Sequence, residues 1–445
     1  MKPSVDHYLS EFEARKSMLP GSNHQWVQGL RESAIKRFAE NGFPSRRDEE
    51  WKYTDLTGMS EQTFQPVVTP GTGSDGQPTE KSQIDHDNAI IIAFENGRWL
   101  FTEAGLDLPP PGVTITSLGK MLSDFPDRIK QHLALFTNPA DHSLVSLNTA
   151  FSHEGAFVHI EKGVVLDRPI RLQYRSTSQD QPHLSLPRNL IVLEEGAEAV
   201  VVETYASENP FAAYWNNIHT EVALGQNARL EHIQVQDESL AAYHTTFTNV
   251  QQARDSRYVS HVYALGGLLA RSDLDVSLED SGAECELNGL TLTSGNQHID
   301  HHTRIDHIEP DCSSRELYKG ILADSSRGVF NGKIYVHPDA QRTAAFQSNP
   351  NLLLSRKAEI DTKPQLEIFA DDVKCSHGAT IGQLDQEALF FLRSRGIDEL
   401  NARNILISAF AQEIVKKVSH SELQEELSEL VSHSLLKLTG SHEVN

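Results

Sequence analysis

The apolar positions along this chain change their period twice. In Trp26-Val27-Gln28-Gly29-Leu30-Arg31-Glu32-Ser33-Ala34-Ile35-Lys36-Arg37-Phe38, residues Trp26, Val27, Leu30, Ala34, Ile35 and Phe38 recur at helical spacing. Asn41-Gly42 supplies the stop that a helix C-terminus favours. From about residue 88 to 382 the period shortens to two. Val164-Val165-Leu166, Ile191-Val192-Leu193, Val200-Val201-Val202 and Leu230-Glu231-His232-Ile233-Gln234-Val235 read as short strands. Turn signals separate them: Glu195-Gly196-Ala197-Glu198, Leu224-Gly225-Gln226-Asn227-Ala228 and Asp280-Ser281-Gly282-Ala283-Glu284. Gly196 and Gly225 stand 29 residues apart, and Gly225 and Gly282 stand 57 apart, about twice as far. A repeat in the high twenties suggests stacked coils of a β-solenoid, with a large β-sandwich as the alternative.

The helical period returns near the C-terminus. Asp385-Gln386-Glu387-Ala388-Leu389-Phe390-Phe391-Leu392 leads to an end signal at Arg395-Gly396. Ala402, Ile405, Leu406, Ala409, Phe410, Ile414 and Val415 form a second stripe, and Leu423, Leu427, Leu430, Val431 and Leu435 a third. Such faces need cover, from one another, from the solenoid end or from a partner. Pro70 to Ser82, rich in Gly, Pro, Ser and Thr, reads as a linker or surface loop. The expected organisation is a helical region at 1–66, a linker at 67–87, a β core at 88–382 and a helical region at 383–445. The chain is therefore expected to be mainly β.

Composition narrows the classes. The 445 residues suffice for two or three domains or one elongated one. No apolar run of about 18 residues occurs, so no membrane span is expected. Met1-Lys2-Pro3-Ser4-Val5-Asp6-His7 lacks an apolar signal core, so export is not expected. The three cysteines, Cys285, Cys312 and Cys375, suit free thiols in a reducing cytoplasm. A formal net charge of −23 repels nucleic acid and anionic lipid. Proteins and cations are the expected partners.

The chemistry concentrates at Asp371-Asp372-Val373-Lys374-Cys375-Ser376-His377-Gly378-Ala379-Thr380. The preceding Pro364-Gln365-Leu366-Glu367-Ile368-Phe369-Ala370 alternates as a strand does. Residues two apart on a strand share a face, roughly 6.6–6.8 Å apart. A thiol and an imidazole would then face one way, a donor pair that iron, copper and zinc accept. Lys374 and a strand edge would favour the thiolate. Two donors cannot close a tetrahedral shell, so a metal here needs ligands from elsewhere. The alternative is a buried small thiol beside a hydrogen-bonded histidine.

A second cluster is His298-Ile299-Asp300-His301-His302-Thr303-Arg304-Ile305-Asp306-His307. On a strand, His298, Asp300, His302, Arg304 and Asp306 share one face, which reads as a polar ladder on the surface rather than a metal site. No His-Glu-x-x-His spacing, phosphate loop or Gly-x-Ser-x-Gly elbow occurs. Gly119-Lys120 and Gly332-Lys333 lack the rest of a phosphate loop. Asp48, Glu49 and Glu50 neutralise Arg46-Arg47, so the stretch around Trp51 reads as a salt-bridged structural segment.

Several blocks, in order, resemble the SufB/SufD family of iron–sulfur cluster assembly scaffolds. They are Tyr318-Lys319-Gly320, Gly328-Val329-Phe330-Asn331-Gly332-Lys333-Ile334, Asn351-Leu352-Leu353-Leu354-Ser355, Lys363-Pro364-Gln365-Leu366-Glu367-Ile368 and Asp371-Asp372-Val373-Lys374. Arg46-Arg47-Asp48-Glu49-Glu50-Trp51-Lys52-Tyr53-Thr54 and Cys375-Ser376-His377-Gly378-Ala379-Thr380 resemble the SufD branch more than the SufB branch. The resemblance is weakest from about 67 to 150. It implies a right-handed parallel β-helix between helical regions, and a non-catalytic scaffold subunit paired with SufB. It also implies that the ATPase SufC docks on the C-terminal helices, here through Phe390, Leu392, Ile405, Leu406 and Phe410. A cysteine desulfurase and its sulfur carrier would act indirectly, through SufB. ATP would enter only through SufC. His377, with Cys375 as an accessory thiol, would hold a transient Fe–S cluster shared with SufB at the interface. Reduced flavin in the complex and a homodimer of the isolated chain stay open.

Two other classes compete. A β-helix carbohydrate enzyme would use paired acids such as Asp300 and Asp306. A metal-dependent oxygenase would need a two-His, one-carboxylate triad, for which His298, Asp300 and His302 are candidates. An interaction protein with no metal role differs from the scaffold only at His377.

Overall fold

The computed structural model describes residues 3–68, 89–100, 109–133 and 142–440. The linker read at 67–87 lies, from residue 69 onward, outside the described residues, as do residues 441–445. The N-terminal region holds α1 (Pro3–Arg15), α2 (Gln25–Asn41), a 3-10 turn at Glu49–Trp51 and α3 (Thr57–Ser60). Next come β1 (Gln65–Pro66), β2 (Ile90–Glu95), β3 (Arg98–Leu100) and β4 (Val113–Ser117), then α4 (Leu118–Asp124), α5 (Pro126–Ile129) and α6 (Ser143–Phe151). The strands that follow are β5 (Ala156–Ile160), β6 (Ile170–Ser176), β7 (His183–Ser185), β8 (Arg188–Leu193), β9 (Glu198–Ser207), β10 (Tyr214–Leu224), β11 (Arg229–Asp237) and β12 (Tyr243–Gln252). They continue through β13 (Arg257–Ala264), β14 (Leu269–Leu278), β15 (Glu284–Thr293), β16 (His298–His307), β17 (Ser313–Leu322), β18 (Arg327–Val336), β19 (Thr343–Leu353), β20 (Glu359–Ile368) and β21 (Val373–Gly382). Three helices close the chain, α7 (Gln386–Ser394), α8 (Glu399–Val415) and α9 (Ser421–Gly440).

From β10 to β19 each strand pairs in parallel with the strands two before and two after it, so consecutive strands alternate between two sheets. That is a parallel β-solenoid, not an antiparallel sandwich. One sheet runs β20-β18-β16-β14-β12-β10-β8-β5-β4 and the other β21-β19-β17-β15-β13-β11-β9-β6-β2-β3. The register step is 26 residues from Tyr243 to Leu269, 29 from Leu269 to His298 and 32 from Arg327 to Glu359. The turn signals sit at the corners. Gly196 and Gly282 have φ of 69° and 79°, where a side chain is strained. Gly225 is needed for space, since a Cβ there would lie 2.9 Å from the Glu194 carbonyl carbon. Val164-Val165-Leu166 forms only one isolated bridge, Val165 to Glu198, instead of a strand.

Side chains alternate between the lumen and the two outer faces. The lumen packs apolar residues such as Ile191, Val201, Leu230, Val276 and Leu287. On one outer face, Trp215, Tyr243, Phe247 and Leu269 meet Tyr8, Phe38, Phe43 and Phe64 of the N-terminal region and Leu144 and Phe151 of α6. Trp215 is fully buried, with the rings of Phe43 and Phe64 at 5.9 and 6.0 Å. On the other outer face, Ile233, Val235, Leu290 and Ile321 meet Ile407, Ala411, Ile414, Leu427 and Val431 of the C-terminal helices. The helical regions thus cover the sides of the solenoid, one per sheet. In α2 the predicted stripe holds, with Val27, Ala34, Ile35 and Phe38 buried, and Gly42 at φ 64° caps it by donating to Phe38 O at 2.8 Å. No helix among the described residues is long and apolar enough to cross a membrane.

Candidate functional site

The two sheets end on β20 and β21, each paired on one side only, with β18 and β19. Their outer edges carry backbone donors and acceptors that no strand among the described residues uses. Burial falls accordingly. The central strands are buried at nearly every position, whereas most of β21 is exposed.

Cys375 and His377 sit on β21, in register with Ala345 and Gln347 of β19. Ala345 and Gln347 are both buried and face the lumen. By alternation Cys375 and His377 therefore face the open mouth of the lumen, on one side of the strand. Cys375 packs beside Ile334, Val336 and Ala345, half-buried, while His377 is exposed. Burial raises the Cys375 thiol above its ordinary value, against a backbone hydrogen bond from Ala345 that lowers it. The expectation that Lys374 favours the thiolate is thus reversed, because Lys374 points to the opposite face and is exposed. Cys285 and Cys312 are buried and inert by comparison, and Cys312 Sγ donates to Asp280 O at 3.3 Å. Among the described residues no three His, Cys, Asp or Glu side chains converge in a way that could hold a metal ion. Cys375 and His377 stand together at an open end as two side chains of metal-binding type.

The His298–His307 cluster is placed on β16 with the predicted alternation, but its polar face is not a bare surface ladder. Residues 49–54 lie across it. Thr54 Oγ1 donates to Asp300 Oδ2 at 2.5 Å and accepts from His298 Nε2 at 2.8 Å. His302 bridges Asp300 at 3.1 Å and Glu50 at 3.3 Å. Arg271, fully buried, binds Asp273 through two nitrogens at 2.8 Å, Asp300 at 3.0 Å and the Glu50 carbonyl at 2.6 Å. Its guanidinium lies 3.7 Å from the ring centroid of Trp51. Lys363 of β20 adds a 2.6 Å contact to Glu49. Despite burial, which alone would raise it, His302 and Arg271 hold the Asp300 carboxyl well below the ordinary range. Burial opposes protonation of His302, but Asp300 overrides it and lifts the imidazole to about 9.

These contacts dispose of both rival sites. Asp300 and Asp306 are six residues apart on one strand, roughly 20 Å at strand rise, beyond the 5–9.5 Å of paired glycosidase acids. Asp306 is engaged separately, by Arg304 at 2.6 Å. His298, Asp300 and His302 share a face but are already engaged, His298 by Thr54, Asp300 by Thr54, Arg271 and His302, and His302 by Asp300 and Glu50, and they form no metal-holding group. The segment around Trp51 is salt-bridged, as the sequence suggests. Its anchor, Arg271, leaves only a weak trace in the sequence, an unusual cation in an alternating strand.

The C-terminal residues divide. Phe390 is 73% exposed and Ile405 46%, and Phe391 and Leu400 are exposed beside them in sequence. Leu392 is half-buried. Leu406 and Phe410 instead pack on the solenoid. The buried Lys319 ammonium lies 4.1 Å from the Phe410 ring and donates to Phe410 O at 3.0 Å. The stripe predicted on α8 is out of phase in part: Ile405 and Ala409 face outward, and Ile407 and Ala411 face the solenoid.

Comparison with known proteins adds an independent line. Residues 174–410 match the family described as SUF system FeS cluster assembly, SufBD core domain, and residues 2–172 match the SufBD protein N-terminal region. An iron-sulfur cluster assembly SufBD family protein of Synechocystis is 32% identical, over 95% of this chain and 94% of its own. The iron-sulfur cluster assembly protein SufD of Escherichia coli is 30% identical, over 95% and 94%. The protein of that name in Bacillus subtilis is 28% identical, over 98% and 99%.

Proposed function

Since this chain belongs to the SufBD family of iron–sulfur cluster assembly proteins, we propose that it is a non-catalytic scaffold subunit lending His377, with Cys375 beside it, to a nascent cluster that a partner chain completes. The carrying observation is the open last coil. Two unpaired strand edges and two metal-capable side chains stand at the same end of the rod. Edge strands recruit further strands through their free backbone groups. A partner that adds strands there would bring its own ligands to the lumen mouth, which is what an incomplete shell requires. SufB is the partner this reading names, with a second copy of this chain as a substitute when SufB is absent.

Phe390 and Ile405, with Leu392 less exposed, suit a docking face for the ATPase SufC, which would supply all nucleotide chemistry. Leu406 and Phe410 support that face from beneath. The cysteine desulfurase and sulfur carrier act through SufB. Cytoplasmic placement belongs to the same reading. Only Gln383, Leu384 and Asp385 separate β21 from α7, so movement of docked ATPase subunits reaches the strand that carries Cys375 and His377.

The test is His377→Ala in the assembled complex. Loss of cluster formation with partner assembly intact is expected. Normal cluster yield would remove His377 from the ligand set.

A further inference from the structure

The row of lumen side chains that ends at His377 carries a buried amide with half of its hydrogen bonding unused. Coil by coil, in register, the row runs Ser260, Leu287, Glu316, Gln347, His377. Glu316 and Gln347 are each 4% exposed. Gln347 Nε2 donates to Glu316 Oε2 at 2.5 Å. The same nitrogen lies against Gly332 of β18, where a Cβ would come within 2.0 Å of it. The amide is therefore clamped, and Gly332 is the residue that leaves room for it. Gln347 Oε1 is shielded from solvent and has no hydrogen-bond partner among the described residues. An unpaired buried carbonyl costs about 1–3 kcal/mol, so this arrangement calls for a donor. The amide nitrogen is taken up by the preceding coil, and the next side chain of the row beyond Gln347 is His377. Neighbouring strands stand about 4.8 Å apart, the spacing at which stacked polar side chains bond along a solenoid. The His377 ring makes no hydrogen bond among the described residues, so turning inward breaks none.

We propose that Gln347 is a positioning residue for His377: its carbonyl oxygen accepts one imidazole N–H and so leaves the other ring nitrogen unprotonated toward the partner chain. A neutral imidazole binds metal through its bare nitrogen, and the hydrogen bond of the other nitrogen decides which one that is. Glu316 acts one step further back, by holding the amide nitrogen. The inference rests on the reading of His377 as a ligand, and its first test does not need a cluster.

That test uses the full-length chain labelled with nitrogen-15 in its imidazoles, at pH 8.5, with the His377 signals assigned by their loss in His377→Ala. Wild type is expected to show one dominant tautomer at His377, and Gln347→Met the mixture of a free imidazole. Mixed tautomers in wild type, or an unchanged single tautomer in a well-folded Gln347→Met, would overturn the proposal. In the complex, Gln347→Met is expected to lose iron to a chelator about tenfold faster or more, with partner assembly unchanged. If His377→Ala still builds clusters, the ligand reading fails while the tautomer result stands on its own.

Discussion

Arg271 is the residue on which the N-terminal segment turns. Its three nitrogens are all engaged, and its flat face is covered by Trp51. Arg271→Ala leaves Asp273 and Asp300 as buried charges without their cation, a loss of about 3–5 kcal/mol in urea unfolding. Arg271→Lys is expected to recover little, because an ammonium cannot make the paired contacts or the stacking. His302 ties the same cluster to pH. Its folded value lies near 9, above the ordinary 6.5: burial and Arg271 oppose the charged ring, but Asp300 and Glu50 together outweigh them. Its contribution is therefore complete below about 6.5 and lost as pH rises through 9. The stability difference between wild type and His302→Gln is expected to shrink over that window, measured by urea titration at each pH. The polar alternation of β16 was visible in the sequence, but its cover was not. An isolated strand cannot say whether water or residues 49–54 face its acids, and that choice is made by contacts more than 200 positions apart. The same limit explains Cys375. Sequence puts Lys374 next to it, whereas the pleat puts them on opposite faces and leaves burial to raise the thiol. Cys375 is expected to be the first thiol to react with an aromatic disulfide reagent in the native chain, at a rate that climbs with pH. Cys375→Ala should abolish that phase.

At the level of elements, strand period and turn chemistry were legible because each coil repeats the same local demand. The helices α4, α5 and α6 were not, because α4 and α5 are short and α6 is buried on all sides, leaving no amphipathic stripe to find. On α8 the apolar residues surround more than one face, so composition alone could not set the phase. The outcome separates two kinds of substitution. Phe390→Asp with Ile405→Asp changes exposed positions and is expected to leave the melting temperature within about 2 °C of wild type, since surface changes stay within about 0.5 kcal/mol. If the proposed docking face is right, the double change abolishes retention of SufC in a pull-down. Phe410→Ala removes a ring from under Lys319 and is expected to destabilise by about 3 kcal/mol. Removing residues 398–445 would strip α8 and α9 from Ile233, Val235 and Leu290, so loss of ATPase binding after such a deletion would not locate the contact.

On the scale of the whole molecule, stability in a solenoid is a sum of coils and of the interfaces between neighbours. The interior coils have two neighbours and the last has one. Amide hydrogen exchange in the isolated chain is expected to be fastest, among the long strands, in β20 and β21 and slowest around β12 to β16. Binding of the partner should slow β20 and β21 selectively. The sequence points to the rod through turn signals near its corners, but a register step that varies from 26 to 32 residues left a sandwich open. It could not announce that the rod is armoured on both flanks, because which helix meets which sheet depends on the folded path.

The short joint between β21 and α7 has a mechanical consequence. A load delivered through the C-terminal helices enters β21 at Gly382, the end farthest from Val373. Strands loaded from one end unzip bond by bond, while strands loaded along their length resist with all bonds together. Fraying would therefore begin at Ile381 and advance backward, reaching Ala379, then His377, then Cys375. A small stroke would loosen only the imidazole and a longer one the thiol as well, so on the proposed ligand role the depth of the stroke would grade how firmly the rod's tip holds a cluster.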